Sequence, residues 1–234
     1  MSGPVLPHTL GTGSGASEHR RGSAARSLAN AMTLPACVGV VAPVVVLGLV
    51  ILVSGLAYQD LVHAVFVAPY GVLVALASTL FLGLWVHRRL GTAVVAGADR
   101  ATVLRTAGLL TIRVVALCLV IWAVGMALFL IYPGHDPLRA VNLLEQAIWV
   151  LVSGTGLLWT GILAGSVSQR WGWPRTALVG IVCWALLIEL PDSGAWVLLH
   201  PWLDGGLHAL DGLALTLLAV ALAVREVKRW EPAD

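Results

Sequence analysis

The distribution of positive charge constrains the fold of this chain more than any other feature. Thirteen of its fourteen Lys and Arg residues lie in or beside every second gap between long apolar segments, and only Arg139 lies in the gaps between. Short loops rich in Lys and Arg stay on the cytoplasmic side of a membrane during insertion. The pattern therefore predicts an integral membrane protein with both termini inside and an even number of crossings.

The apolar segments predict how many times the chain crosses. Apolar residues make up 59% of the chain and charged residues 11%, far from the roughly 25% charged content of an average soluble domain. Six segments each approach the ~20 residues that a helix needs to span a bilayer. The predicted spans are about 35–57, 65–86, 109–131, 146–167, 173–190 and 207–224. The fold class predicted is an all-α integral membrane protein with six transmembrane helices.

The remaining segments complete the predicted organisation. Residues 1–34 are rich in Gly, Ser, His and Arg, which predicts a disordered cytoplasmic tail with room for a short inner-surface helix over residues 24–34. Residues 35–230 form the six-span domain, and residues 231–234 form a cytoplasmic end. Residues 191–208 mix apolar side chains with Pro, Gly and Asp, which predicts an outer interfacial or re-entrant hairpin between the fifth and sixth spans.

Small residues predict where helices pack closely. Such residues recur every four positions along the second span, and a GxxxG spacing occurs in the fourth. In lipid, small side chains let two helix backbones approach closely enough for dense packing. The packing residues predicted are Gly71, Ala75, Thr79, Gly83, Gly161 and Gly165.

Several kinds of chemistry find little support in the sequence. With the predicted boundaries, no ionisable residue lies near the middle of a span, whereas ion-coupled carriers usually place one there. The chain contains no GxxxxGK[ST] motif, so it does not bind ATP by that route. Its positive charges are topological and are not interleaved with aromatic residues, which argues against a nucleic-acid partner.

One group of residues raises the alternative of a membrane metalloenzyme. Asp204, His208 and Asp211 are spaced by four and three residues, so a helix would place them on one face near the outer surface. The competing interpretation is that they are ordinary polar groups at the start of the sixth span. Neither HExxH nor GxSxG accompanies them, so the sequence favours a protein without a metal site or catalytic residues.

The stretch around the first large basic loop resembles a known family. Residues 87–92 (HRRLGT) and 99–105 (DRATVLR) are similar to the cytoplasmic segment between the second and third spans of ABC type-2 permeases. Residues 161–170 resemble the end of that family's fourth span, and residues 199–202 lie where the family has an outer hairpin. The resemblance covers about residues 35–230. It departs from the family before the first span, where the usual inner-surface helix has only residues 24–34 available.

This resemblance implies the permease subunit of an ATP-driven bacterial exporter. Near-exclusive use of Arg over Lys, with abundant Ala and Val, is typical of a high-GC bacterial genome and predicts the inner membrane. Such a subunit has no cofactor of its own; it pairs with a second permease copy or a related permease, and a separate cytoplasmic ATPase carries ATP and Mg. The basic loop would be a short coupling helix that docks on the ATPase. The coupling residues implied are Arg88, Arg89, Leu90, Gly91, Thr92, Asp99, Arg100 and Arg105, and those of a second cytoplasmic contact are Gln169, Arg170 and Arg175.

A second hypothesis keeps the membrane fold but removes transport. The chain would then be a non-catalytic membrane protein, such as a sensor or an assembly factor, that binds partners only. Ordinary positive-inside anchoring explains the arginines of the basic loop under this hypothesis. It leaves unexplained the Leu90-Gly91-Thr92 step and the small helix that this step is expected to start.

Overall fold

The structure, a computed structural model, describes residues 13–58, 70–131, 143–178 and 207–229. These residues are helical apart from short turns, and they contain no strand, which confirms the predicted helical fold class for this part of the chain. Residues 173–178 form a further helical stretch. The long helices are α1 (Gly13–Tyr58), α2 (Tyr70–Val95), α3 (Arg100–Ile131), α4 (Leu143–Trp171) and α5 (Leu207–Lys228).

Four of these helices match the first four predicted spans. The stretches long and apolar enough to cross a bilayer are Arg21–Ile51, Gly71–Val95, Arg100–Ala127 and Gln146–Trp171. The chain therefore has the helices of a multi-pass membrane protein. Helix α5 covers the predicted sixth span. Several predicted segments lie outside the described residues. They are the fifth span beyond residue 178, the outer hairpin up to residue 206, and the chain ends at residues 1–12 and 230–234.

Helix α1 corrects the prediction for the region before the first span. The composition predicts a disordered tail up to residue 34 with room for a short helix over residues 24–34, whereas the helix begins at Gly13 and runs without interruption through 46 residues. The physical reason is a narrow buried stripe, spaced by three or four residues, along which this part of α1 packs against α3. The buried residues of the stripe are Ala25, Ala29, Met32, Ala36 and Val40.

The basic loop also differs from the prediction, because it contains no separate short helix. Residues 88–95 are the last two turns of α2, and α3 begins at Arg100. An apolar stripe at four-residue spacing continues from the predicted second span into this region, and its last members are buried like its first. The stripe consists of Leu82, Val86, Leu90 and Val94. The helix therefore continues because its buried face continues.

A compact turn joins α2 to α3. Gly97 adopts a positive φ of 93°, and the Gly97 and Ala98 amides donate to the carbonyls of Val94 and Ala93, both at 2.9 Å. This pair of hydrogen bonds is a Schellman motif, which satisfies the last carbonyls of α2. The Asp99 carboxylate then accepts the amide of Thr102 at 2.8 Å and caps the first turn of α3. The turn is therefore fixed by local hydrogen bonds at both of its ends.

The Asp99 cap gives a first prediction. Asp99→Ala is expected to lower the free energy of unfolding by about 1 kcal/mol, because the Thr102 amide loses its acceptor. Hydrogen bonds from Thr102, and then the charge of Arg21, hold the pKa of Asp99 below its ordinary range. Because the pKa is depressed in the folded state, the stabilisation is complete above the unfolded-state pKa of about 3.9 and is lost as the pH falls through the lower folded value.

Thermal unfolding in mild detergent across this acid range measures both effects. Asp99→Asn is the matched control, since asparagine caps helices about as well as aspartate but does not titrate. We expect Asp99→Asn to keep the capping contribution and to lose the part of the acid dependence that Asp99 supplies. An Asp99→Ala protein as stable as the native one would show that the cap does not contribute.

The long helices form a bundle in which the directions of neighbouring helices are set by their contacts. Contacts pair Gly83 with Gly161 and His87 with Gly165, so α2 and α4 run in the same direction. Gly156 contacts Thr216, and Arg170 pairs with Glu226, so α4 and α5 also run in the same direction. As a result, Trp171 and Leu207 lie at opposite ends of the bundle.

Candidate functional site

Among the residues whose side chains the structure describes, the charged ones collect at one end of the bundle, which we call the inner end. It comprises the start of α1 from Arg21, the α2–α3 turn, and the last turns of α4 and α5. Arg21 Nε lies 2.9 Å from Asp99 Oδ2, and Arg170 pairs with Glu226 at 3.2 Å. The cations that the charge pattern assigns to the cytoplasm therefore meet on one surface, as the predicted topology requires.

Several of these cations hold helices together as well as marking the inner end. Arg100 donates to the backbone oxygen of Lys228 at 2.8 Å and so joins the start of α3 to the end of α5. Arg113 donates to Asn30 Oδ1 at 2.7 Å and to the Thr33 hydroxyl, which joins α3 to α1. These hydrogen bonds connect α3 to both α5 and α1.

The residues expected to form the coupling helix divide into buried and exposed groups. Leu90 is fully buried in the bundle, so it contributes to packing and cannot contact a partner. Arg88 and Arg89 are exposed on the last turns of α2, and Arg89 lies over the Trp85 ring at 5.5 Å. Thr92 donates its hydroxyl to the Arg89 carbonyl at 2.7 Å, and Gly91 has open space beside it.

The turn and the second predicted contact complete this surface. Arg100 and Arg105 are exposed at the start of α3, beside the capping residue Asp99, and Arg105 is close enough to act on the charge of that carboxylate. Gln169, Arg170 and Arg175 are all exposed at the end of α4 and just beyond it. The two predicted contacts therefore lie at the same end of the bundle, and the inner end carries more cations than anions.

The small residues predicted for packing lie mainly between α2 and α4. An added Cβ at Gly83 would lie 2.2 Å from the Leu158 carbonyl oxygen, and one at Gly161 would lie 2.2 Å from the Leu80 oxygen. The two helix backbones therefore touch at this pair of glycines. Gly71 faces Val44 of α1, and three further residues are buried on the same stripes: Ala75, Thr79 and Gly165.

A cavity of about 270 Å³ opens beside this packing contact at the inner end. Its walls come from the last turns of α2 and α4 and from the start of the helical stretch at residues 173–178. The sequence pattern does not indicate it, because its residues are distant in sequence. The residues that line the cavity are Leu84, His87, Arg88, Gly165, Ser168, Gln169 and Trp173.

His87 forms the buried floor of this cavity. Its imidazole is 2% exposed and packs directly on Gly165, where a Cβ would lie 2.6 Å from the ring. Its Nδ1 lies 3.3 Å from Ser166 Oγ, and Gln169 lines the same cavity. Because Ser166 donates its own proton to the Ile162 carbonyl, the serine oxygen is left to accept from Nδ1–H. The glycine at 165 is what makes room for the ring.

A second polar feature lies inside the bundle, away from the inner end. Trp122 Nε1, Gln146 Oε1 and Ser153 Oγ are buried and have no hydrogen-bond partner within the described part of the chain. Val115 of α3 contacts Gly154 of the antiparallel α4, so Trp122 lies near the level of Gln146. Unsatisfied polar atoms at membrane depth are costly, so they indicate a place where water or a ligand could bind.

The predicted alternative metal site falls largely outside what the structure describes. Asp204 is not among the described residues, and His208 and Asp211 lie on the first turns of α5. Within the described ranges, no group of three His, Cys, Asp or Glu side chains could hold a metal ion.

Comparisons with known proteins give this chain no established relative. No family model matches the sequence, and neither a curated protein nor a solved structure matches it.

Proposed function

We propose that this chain is the membrane-spanning permease subunit of an ATP-driven exporter, bound at its inner end by a cytoplasmic ATPase in a bacterial inner membrane. The observation that carries the proposal is the α2–α3 hairpin, whose turn is fixed by hydrogen bonds and which carries the exposed Arg88 and Arg89 at the inner end. The sequence provides no phosphate-binding loop, so the ATP and Mg would belong to the partner.

The charges at the inner end favour a partner with an acidic surface. The carboxylates described there, Asp99 and Glu226, are already paired with Arg21 and Arg170. Arg88 forms no ion pair with the described residues, and the Arg89 guanidinium lies over the Trp85 ring and forms no ion pair with them either. Exposed cations of this kind steer association with a complementary negative surface and help to fix its register.

With this hairpin, force from the ATPase would reach the membrane by a different route than through the separate short coupling helix that the family resemblance implies. In the proposed permease there is no short helix to tilt, because residues 88–95 continue the axis of α2 directly. The Schellman motif and the Asp99 cap make the tip rigid. Movement of the ATPase surface would therefore move α2, and with it α4, which contacts α2 at Gly83 and Gly161.

The interior of the bundle supports a transport role. The buried polar atoms of Trp122, Gln146 and Ser153 offer hydrogen-bonding groups along α3 and α4 at membrane depth. A translocation path needs such groups, whereas a bundle that serves only as an anchor gains nothing from leaving them unsatisfied.

The proposed second permease copy has one broad surface available. In its most apolar window, only 11% of the α1 residues are buried within the described part of the chain. Its exposed valines and leucines suit lipid as well as a second copy.

The experiment is a pull-down in mild detergent with the double change Arg88→Glu and Arg89→Glu. We expect the native chain to bring down a protein that contains GxxxxGK[ST]. The double variant should recover at least about tenfold less of that protein, because placing like charges opposite each other at an interface costs several kcal/mol. The matched control is Arg26→Glu with Arg225→Glu, which changes the net charge equally at two other exposed positions of the inner end. Equal recovery of the ATPase by the native chain and the Arg88/Arg89 variant would contradict the proposal.

One observation favours a second candidate, a membrane protein that binds a partner without transport. Positive-inside anchoring explains the arginines of the basic loop but not a separate short helix there. Because α2 continues to Val95 and α3 begins at Arg100, the structure has no such helix to explain. If the native chain brings down a protein without GxxxxGK[ST], and the double variant loses it, the second candidate is supported and the exporter is not.

A further inference from the structure

We propose that the cavity between α2 and α4 at the inner end binds the phosphate of an anionic phospholipid headgroup. This inference is independent of the exporter proposal, because it needs only the isolated chain and a lipid. It rests on the polarity of the cavity walls, the depth of the cavity and its apolar side.

The polar groups of the cavity suit a phosphate. Arg88 is the cation of the lining and has no ion pair with the described residues, so its guanidinium is available. Arginine recognises phosphate through two parallel N–H donors. The exposed Gln169 amide adds a further polar group at the mouth of the cavity. Nothing in the lining is negatively charged, so the cavity offers no partner for the ammonium group of a zwitterionic headgroup.

Two backbone acceptors beside the cavity are already used within α4 and the turn that follows it. Ser168 donates its hydroxyl to the Gly165 carbonyl at 2.8 Å, and the Ser168 carbonyl accepts the Gly172 amide at 3.0 Å. These bonds satisfy two carbonyl oxygens at the end of α4. Arg88 is the residue of the lining that carries a formal charge.

The position of the cavity matches the headgroup region of the inner leaflet. Trp173 lines it and is 56% exposed, and Trp85 lies one turn before Arg89. Tryptophans of this kind mark the membrane interface. Basic pockets between helices at the cytoplasmic interface are the usual place for anionic headgroups.

An apolar strip favours a lipid over a free phosphate ion. Phe81, Leu84 and Arg88 share one face of α2, and Phe81 is 69% exposed one turn deeper in the membrane than Leu84. An acyl chain could lie along this face while the headgroup binds at Arg88. The cavity volume of about 270 Å³ is below the 300–1,000 Å³ typical of sites that enclose a whole drug-sized ligand, so it suits a headgroup whose tails remain outside.

The test is a titration of the purified full chain with phosphatidylglycerol and phosphatidylethanolamine, followed by native mass spectrometry. We expect one phosphatidylglycerol per chain, bound more tightly than phosphatidylethanolamine. Arg88→Gln is expected to lower the affinity for phosphatidylglycerol about tenfold, which is the loss typical of removing one hydrogen bond to a charged group. Arg89→Gln is the matched control, since it removes the same charge one residue away but outside the cavity.

Each other outcome overturns a defined part of the proposal. Equal losses in Arg88→Gln and Arg89→Gln would show diffuse attraction to anionic lipid instead of a site. Equal affinities for the two lipids would show that the site does not select an anionic headgroup. Thermal stabilisation by inorganic phosphate through Arg88, without any lipid adduct, would identify a free anion as the ligand.

A second variant keeps the test decisive if Arg88→Gln does not fold. Gln169→Glu nearly preserves the shape of the side chain but places a negative charge in the mouth of the cavity. We expect it to weaken phosphatidylglycerol binding at least as much as Arg88→Gln does, and an unchanged affinity would overturn the proposal.

Discussion

Replacing Gly83 with alanine is expected to separate α2 from α4 and to lower the free energy of unfolding by about 3 kcal/mol, the upper end of the usual cost of overpacking. The new Cβ would lie 2.2 Å from the Leu158 oxygen and 2.8 Å from Gly161 Cα. Both are backbone atoms, so no side chain can rotate away. The helices must move apart, and the dispersion contacts that hold helices together in lipid are then lost.

Thermal unfolding in mild detergent measures this effect, and the chain supplies its own control. Gly91 lies on the same helix, and no atom lies within 4 Å of the position that a new methyl group would take there. Gly91→Ala is therefore expected to stabilise the protein by about 0.5–1 kcal/mol, as alanine does in an open helix position. Gly161→Ala should resemble Gly83→Ala, and the double variant should cost less than the sum of the two. Equal changes in the free energy of unfolding for Gly83→Ala and Gly91→Ala would show that α2 and α4 do not touch at Gly83.

The second large effect is expected from Gly165→Ala, which would press a methyl group against the His87 ring. The added carbon would lie 2.6 Å from Cγ and Cδ2 of the imidazole and 2.8 Å from its Cβ. His87 is buried and its Nδ1 lies 3.3 Å from Ser166 Oγ, so the ring cannot turn away without losing that contact. We expect a loss of about 2 kcal/mol, the middle of the range for overpacking.

A double-mutant cycle checks that the clash is with His87. His87→Ala alone should also destabilise, because it empties a buried position. Combined with Gly165→Ala, however, the loss should be at least about 1 kcal/mol smaller than the sum, as expected for residues in contact. Additive losses would show that Gly165 is needed for another reason.

The apolar part of the fold follows directly from the sequence. A run of about 20 apolar residues has no favourable place in a soluble loop, so the first four spans are predictable from hydropathy alone. The glycine stripe on α2 is also visible in the sequence as a close-packing face. Its partner is not, because Gly161 is 78 positions away in the sequence and a stripe of small residues does not say which helix it meets.

The start of α1 escapes prediction because its buried face is made of small residues. Ala25 and Ala29 bury little surface each, and the Ser, Gly and Arg residues around them have the composition of a disordered tail. The start of α1 is stabilised by its contacts with α3, for example the hydrogen bond from Arg113 to Asn30. The spacing of residues in the sequence does not show such contacts. In contrast, the four-residue spacing of Leu82, Val86, Leu90 and Val94 is itself a signal that α2 continues through the basic loop. The family resemblance favours a separate short helix there, and the spacing is the better guide.

The cavity is the feature that the sequence predicts least. Arg88 and Gln169 are both identified as contact residues by the family resemblance, but each is assigned to a protein partner. Only the packing of α2 on α4 shows that they share one cavity with His87 and Trp173. The shape of such a site depends on one glycine, Gly165, and no local pattern in the sequence specifies it.

The hydrogen bond from Arg100 to the Lys228 carbonyl joins residues 128 positions apart, which sets an order of events during synthesis. At a translation rate of about 5–20 residues per second, the donor on α3 exists for roughly 6 to 26 seconds before its acceptor is made. Throughout that interval the α2–α3 hairpin depends on its own turn, the Asp99 cap and the Arg21 pair. The turn between α2 and α3 is therefore held first by its own local bonds, and the link to α5 is added only after Lys228 has been made.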